Sequence, residues 1–222
     1  MQVISSLQDS LLRQFGGVPD SESFYLTGGT ALAHFYLKHR RSNDLDFFTV
    51  VEELIDPFSR QLQTAMERRG MVVERQRGFR SFVELVATRE QEQTLIHLAQ
   101  DAVFRFEPVR TFPEYVGLNV DNLVDIASNK LLALFGRATL RDFIDVYALV
   151  NRGHFQTEEL IEKAKRKDPG FDLYWLGVAF ERLKTFRDDS PEMLLLVEPI
   201  QMKQLRDFFD RWRAQITHRL ES

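Results

Sequence analysis

Residues 24–48, FYLTGGTALAHFYLKHRRSNDLDFF, set the turn Thr27-Gly28-Gly29-Thr30 ahead of an apolar stretch and place Asp44 and Asp46 beyond it, flanked by Leu45, Phe47 and Phe48. The apolar run Phe24, Tyr25 and Leu26 stops at the turn, and residues 30–37 carry apolar side chains mostly at helical spacing, so the turn falls at a helix start. Two glycines permit a tight bend and close approach of a ligand to the backbone, and the unpaired N–H groups of a first helical turn point at an anion lying there. Thr30 is placed either to cap that helix or to donate its hydroxyl to a phosphate. In a strand, Asp44 and Asp46 project from one face with Cα atoms roughly 6.6 Å apart. Carboxylates so placed repel unless a cation or base neutralises them. Mg²⁺ takes one or two carboxylates plus phosphate oxygens and water, so the two segments together suit a nucleotide triphosphate and Mg²⁺ or Mn²⁺.

Each segment has an ordinary reading by itself: a Gly-Gly turn is common loop chemistry, and an isolated Asp-x-Asp is more often a solvated strand end. Their separation by one helix, with the basic approach His39-Arg40-Arg41-Ser42 between them, favours the functional reading. Lys38, His39, Arg40 and Arg41 are positioned to meet a triphosphate or an acceptor backbone. Further along, Leu123, Ile126, Ala127, Leu131 and Leu134 form a helical stripe interrupted by Lys130. A lysine there either snorkels to solvent or presents a movable point charge to phosphates. Arg141, Asp142 and Asp145 lie at helical spacing, where an Arg-Asp pair one turn apart is often simple helix support.

The segment GGTALAHFYLKHRRSNDLDFF resembles the signature of the AbiEii/AbiGii-type nucleotidyltransferases, the toxin-like branch of the DNA polymerase beta-like superfamily. A second block, DNLVDIASNKLLALFGRATLRDFIDVYAL at 121–149, resembles that family's later Lys and Arg-Asp-x-x-Asp motifs, in the expected order. The resemblance covers roughly residues 20–150. It implies an α+β fold, a mixed sheet flanked by helices with a helical C-terminal part, and metal-dependent attack on the α-phosphate of an NTP. It also implies an acceptor such as tRNA or another RNA, or a protein hydroxyl, and a cognate antitoxin as partner. Carried over by position, Gly28 and Gly29 match the phosphate-binding turn, and Ser42, Asp44 and Asp46 the segment that leads into and contains the metal ligands. Lys130 matches a lysine that meets substrate phosphates, and Asp145, with Asp142 as its rival, the late acid. A third carboxylate is commonly found on a later strand beside the acid pair; here TLIHLAQD puts His97 at that position. An imidazole is a poorer Mg²⁺ partner than a carboxylate and removes a negative charge. Asp101, of the same alternation parity, and Glu84, on the neighbouring strand, are the residues able to compensate. The alternative is a catalytically degenerate nucleotide-binding or protein-interaction module of the same fold.

Composition bounds these readings. With 29 Lys plus Arg against 33 Asp plus Glu, the formal charge of the 222-residue chain is −4, which is not that of a nucleic-acid-coating protein but permits a local patch. Arg68, Arg69, Arg75, Arg77 and Arg80 form such a cluster, able to meet an RNA backbone or to be solvated surface. Nineteen phenylalanines are spread along the chain, as expected for core packing rather than a nucleobase platform. The absence of cysteine excludes disulfides and thiol catalysis and fits a reducing interior. No signal-like start or membrane-length apolar run is present, so the expected location is cytoplasmic, with no membrane partner. The five histidines show no His-Glu-x-x-His arrangement, which leaves a zinc hydrolase unsupported.

Punctuation by Gly and Pro predicts helices over 2–15 and 57–69 and strands over 71–75, 79–86 and 94–99 besides the Asp44–Phe48 strand. An extended connection is expected over 101–119, then helices over 121–135, 139–151, 157–167, 171–186 and 192–213. The expected division is a sheet-containing core, 1–118, and a helical part, 119–222, that completes the cleft within one cooperative unit.

Overall fold

The computed structural model describes residues 2–221. The chain forms two compact units, Met1–Leu123 and Val124–Ser222.

The first unit is built on a mixed seven-stranded sheet of order β3-β4-β5-β2-β1-β7-β6. Its strands are β1 (Tyr25–Thr27), β2 (Asp44–Thr49), β3 (Val72–Phe79), β4 (Phe82–Arg89), β5 (Glu92–Gln100), β6 (Arg110–Thr111) and β7 (Asn119–Val120). β2 runs parallel to β5 and antiparallel to β1, and β3, β4 and β5 form an antiparallel meander. The connection 101–119 contributes the two short edge strands, and β7 pairs in parallel with β1 at Leu26 and Val120. Register sets Leu26, Phe47, Leu98 and Val83 side by side across four strands, all with no more than 1% exposure. The next rung is Thr27, Asp46, His97 and Glu84. Since side chains alternate between faces, the apolar rung lies on one face of the sheet and the polar rung on the other.

Helices cover the apolar face. α1 (Ser6–Phe15) starts with a capping box between Ser5 and Gln8, and α3 (Ile55–Glu67) follows β2. Phe15 of α1 stacks on Phe47 with ring centroids 3.9 Å apart, and Phe58 of α3 stacks on Phe24 at 4.1 Å and meets Phe15 edge-on at 5.4 Å. The helix after the turn is composite: α2 (Gly28–Ala31) widens into a π-helix over Leu32–Leu37, and Lys38 ends it in the left-handed region at φ +53°.

The second unit is helical: α4 (Leu123–Arg137), α5 (Leu140–Asn151), α6 (Thr157–Lys167), α7 (Leu173–Glu181) and α8 (Met202–Glu221). Its aromatic core joins Phe143, Phe180 and Trp212 around Phe209, with centroids at 4.9, 5.0 and 6.0 Å. The single helix expected over 192–213 is instead a 3₁₀ segment, Pro191–Leu195, followed by α8. Pro199 accounts for the break, because proline drives the preceding residue out of the α region. Among the described residues no helix is long and apolar enough to cross a membrane.

Phe58 is fully buried between two other rings, so Phe58→Ala is expected to lower stability by about 3–5 kcal/mol through lost burial and a residual cavity. Urea denaturation of both chains checks this; a loss below about 1 kcal/mol would contradict the packing described.

Candidate active site

The polar rung gathers charge in a line. Asp46 Oδ1 lies 2.8 Å from His97 Nδ1, His97 Nε2 lies 3.4 Å from Glu84 Oε2, and Glu84 Oε1 lies 3.6 Å from Arg77 Nε. Each of these residues comes from a different strand, β2, β5, β4 and β3 in turn. Both ring nitrogens of His97 face carboxylates, which is the arrangement an imidazolium prefers because it donates from both. The hydrogen bond to Asp46 raises the His97 pKa above its ordinary value of 6.5, against the opposing effect of burial and with the added charges of Asp46, Asp44 and Glu84. His97 thus places an imidazole of raised pKa where the resemblance leads one to expect a third acid.

Asp44 and Asp46 share the polar face of β2, both half-buried, while Leu45 and Phe47 between and beyond them are buried on the other side. The glycine turn abuts this pair. Gly28 has φ +71°, and a Cβ there would stand 2.3 Å from Asp46 Oδ2. Any other residue would be strained and would also displace the carboxylate. At Gly29 a Cβ would stand 2.6 Å from Arg40 Nη2 and 3.2 Å from Ser42 Oγ. Gly28, Gly29, Arg40, Ser42, Asp44, Asp46, His97 and Glu84 therefore share one neighbourhood. Arg40 is buried and also donates from Nη1 to the Arg41 carbonyl at 3.0 Å. Thr30 is fully buried with its hydroxyl bonded to the Asp44 carbonyl, so it ties the turn to β2 rather than presenting a donor to a ligand.

Asp101 stands apart from the rung. Its Oδ2 accepts the Tyr25 hydroxyl and its Oδ1 the Ala102 N–H at 2.8 Å. A buried set that sequence reasoning did not single out adjoins Asp46 on the β1 side. Thr27, opposite Asp46 in register, donates to Asp121 Oδ2 at 2.7 Å. Asp121 pairs with Arg105, whose guanidinium lies 4.3 Å from the centre of the Tyr25 ring, and Tyr36 donates to the Asp121 carbonyl at 2.6 Å. Burial, then the hydrogen bond to Asp101, raises the Tyr25 pKa and keeps the phenol neutral. Thr27 and Asp121 are 94 positions apart, so no local pattern announces their contact.

In the second unit, Lys130 and Asp145 form a buried ion pair, Nζ to Oδ2 at 2.7 Å. Asp142 has a different task. It accepts from Thr139 N at 3.2 Å and Thr139 Oγ1 at 2.6 Å, which closes the capping box of α5, and receives Arg137 in a fork at 2.8 and 2.9 Å. Burial pushes the Asp142 carboxyl up, but these hydrogen bonds outweigh it and hold the pKa below the usual carboxylate range. Arg141 is exposed on the same helix.

Among the described residues no group of three or more His, Cys, Asp or Glu is arranged to hold a metal ion. Asp44 and Asp46 offer two hard carboxylates on one face, a donor set that fits Mg²⁺, which takes its remaining ligands from phosphate and water.

Solved structures share this fold. The chain aligns with JHP933 of Helicobacter pylori at TM-score 0.57 and 18% identity, covering 97% of this chain and 90% of that one. It aligns with MenT4, a nucleotidyltransferase toxin of Mycobacterium tuberculosis H37Rv, at TM-score 0.59 and 17% identity, covering 95% and 82%. An uncharacterized protein of Aquifex aeolicus (strain VF5) is 28% identical over 220 residues, 95% of this chain and 96% of its own length. Residues 10–222 match the family described as "Nucleotidyl transferase AbiEii toxin, Type IV TA system". The chain belongs to this family, within the polymerase beta-like nucleotidyltransferases.

Because the folded pKa of His97 is raised, its ionisation stabilises the fold below the unfolded value near 6.5, and that contribution is lost as pH rises through the folded value. In metal-free protein, NMR titration of the imidazole is expected to give a midpoint above 6.5, moving down in Asp46→Asn. A wild-type midpoint at or below 6.5 would contradict the pairing.

Proposed function

We propose that this protein transfers a nucleoside monophosphate from an NTP to a hydroxyl of an RNA acceptor, tRNA being one such acceptor, with Mg²⁺ or Mn²⁺ as cofactor. The observation that carries the proposal is the contact between the glycine turn and the acid pair, in which Asp46 Oδ2 occupies the space a Gly28 side chain would fill. In this reading the acceptor hydroxyl releases its proton to solvent as its oxygen bonds to the α-phosphorus, the bond to the β-phosphate oxygen breaks, and pyrophosphate leaves with the electron pair. The backbone of Gly28 and Gly29 and the Ser42 hydroxyl hold phosphate oxygens. Arg40 supports the turn from behind Gly29 and adds positive charge beside it. Asp44 and Asp46 would hold the divalent cation, which when bound aligns the triphosphate and offsets developing charge. His97 orients Asp46, with Glu84 fixing the far side of the imidazole. In the second unit Lys130, held by Asp145, is the side chain suited to a phosphate contact, whereas Asp142 with Arg137 belongs to helix capping. A cognate antitoxin is the protein partner the family description supports.

One observation favours a second reading, that of a nucleotide-binding or protein-interaction module without turnover: the position expected to carry a third carboxylate is His97, already engaged with Asp46 and Glu84.

Incubation with each labelled NTP, Mg²⁺ or Mn²⁺ and pooled cellular RNA separates the two. Label is expected on RNA with the wild-type chain and at background with Asp44→Asn/Asp46→Asn, which leaves the apolar face of the sheet untouched. Metal-dependent transfer that persists in the double variant would overturn the site, and nucleotide binding without transfer would support the second reading. His97→Asp restores a third acid and is expected to raise Mg²⁺-supported transfer several-fold; an unchanged rate and metal dependence would remove His97 from the reaction centre.

A further inference from the structure

The five arginines of the basic cluster divide into two groups. Arg75 pairs with Asp56 at 2.6 Å, Arg77 with Glu84 at 3.6 Å, and Arg80 with Glu52 at 2.8 Å, so these three meet carboxylates. Among the described residues Arg68 and Arg69 meet none, and Arg69 donates from Nη1 to the Ala65 carbonyl at 3.1 Å. They join Arg60 and Thr64 on one wall of a groove of about 510 Å³, whose other wall includes Gly17 and Pro19 of the turn after α1. Arg60, Thr64 and Arg68 recur every four residues, so they run along one side of α3 and its C-terminal cap, with the outer two Cα atoms about 12 Å apart. Among the described residues no carboxylate lines the groove. Two stand at its margin: Asp20 accepts from Gln61 of the lining at 3.2 Å, and Asp56 is shared by Arg60 at 2.9 Å and Arg75 at 2.6 Å, so that one charge is set against two guanidinium groups.

Cations at a helix C-terminus complement the helix dipole, which accounts for Arg68 and Arg69. It does not account for a concave surface whose own lining carries three arginines and no carboxylate on a chain of net charge −4. Guanidinium forks match phosphate oxygens in pairs, and Thr64 adds a hydroxyl between the outer arginines. The lining has no large apolar side chain to anchor a peptide; its nonpolar residues are Gly17, Pro19 and Ala65.

We propose that this groove is a docking site for the phosphodiester backbone of RNA, engaged by Arg60, Arg68 and Arg69 without regard to base sequence. It rests on the reading of RNA as the acceptor, and gives that acceptor a contact outside the reaction centre.

Binding without NTP or metal tests the groove apart from the chemistry. A fluorescent single-stranded RNA of about twelve nucleotides is titrated with the full chain in the Asp44→Asn/Asp46→Asn background, with and without Arg60→Gln/Arg68→Gln/Arg69→Gln. Loss of three phosphate contacts is expected to weaken binding about tenfold and to make log K against log salt shallower by about two. A triple change of equal charge elsewhere, Arg166→Gln/Arg187→Gln/Arg219→Gln, is expected to leave affinity within about twofold. Circular dichroism melts confirm that each variant folds. Equal weakening by both triple variants, an unaltered salt slope, no binding by the parent chain, or displacement of RNA by an equal concentration of inorganic tripolyphosphate would each overturn the proposal. Nucleotidyl transfer by the otherwise wild-type chain is measured separately: activity with an indifferent groove removes only the docking site, and groove binding without activity removes only the reaction.

Discussion

Two carboxylates on one strand face repel each other, and the sheet around β2 is arranged to contain that repulsion. Asp46 is held between the Gly28 turn on one side and His97 on the other, so each of its oxygens has a defined environment. The imidazole is in turn held by Glu84, and Glu84 by Arg77, so that acidic and basic side chains alternate across four strands. On the β1 side, Thr27, Asp121 and Arg105 continue the hydrogen-bonded set. Such a line is tolerated because the adjacent rung, Leu26, Phe47, Leu98 and Val83, secures β1, β2, β5 and β4 from the opposite face. Burial of that apolar rung fixes the register, and the register fixes which charges meet.

The arginines of β3 show how one irregularity redistributes charge. Arg75 is opposite Leu85 and Arg77 opposite Glu84, so the bulge leaves Gln76 as the extra residue between them. In a regular strand residues two apart project to the same face; the inserted residue reverses this. Arg75 therefore reaches back to Asp56 on α3, while Arg77 joins the polar rung. A row of arginines that reads as one patch is thereby split between two faces. Arg68 and Arg69, at the end of α3, remain beside the groove.

The second unit separates two acids that spacing alone leaves as rivals. Asp142 and Asp145 are one turn apart on α5 and both fully buried. Asp142 stands three residues after the helix cap, where a side chain reaches back to the cap backbone, and Arg137 satisfies its remaining valence. Asp145 lies too far along the helix for capping and meets Lys130 of α4 instead. The Thr139-x-x-Asp142 pattern was available in the sequence as a capping signal, whereas the partner of Asp145 depends on how two helices pack.

By itself the sequence determined what is local. The glycine turn at a helix start, the shared face of Asp44 and Asp46, the strands around them and most of the helices follow from backbone preferences and from periods of 2 and 3.6, which act over a few residues. The α-to-π widening after Ala31 and the break before α8 departed from a simple helical reading, the latter where Pro199 carried a signal that apolar spacing obscured. His97 entered the reading through a family resemblance, since alternation assigns a face but not a neighbour. Tertiary structure alone decided that Asp46 faces His97, that Asp121 meets Thr27, that Thr30 is spent on the Asp44 carbonyl, and which arginines are neutralised. Strand register, the β3 bulge and helix packing are chosen by the burial of side chains distant in sequence, and no short window of residues contains both partners.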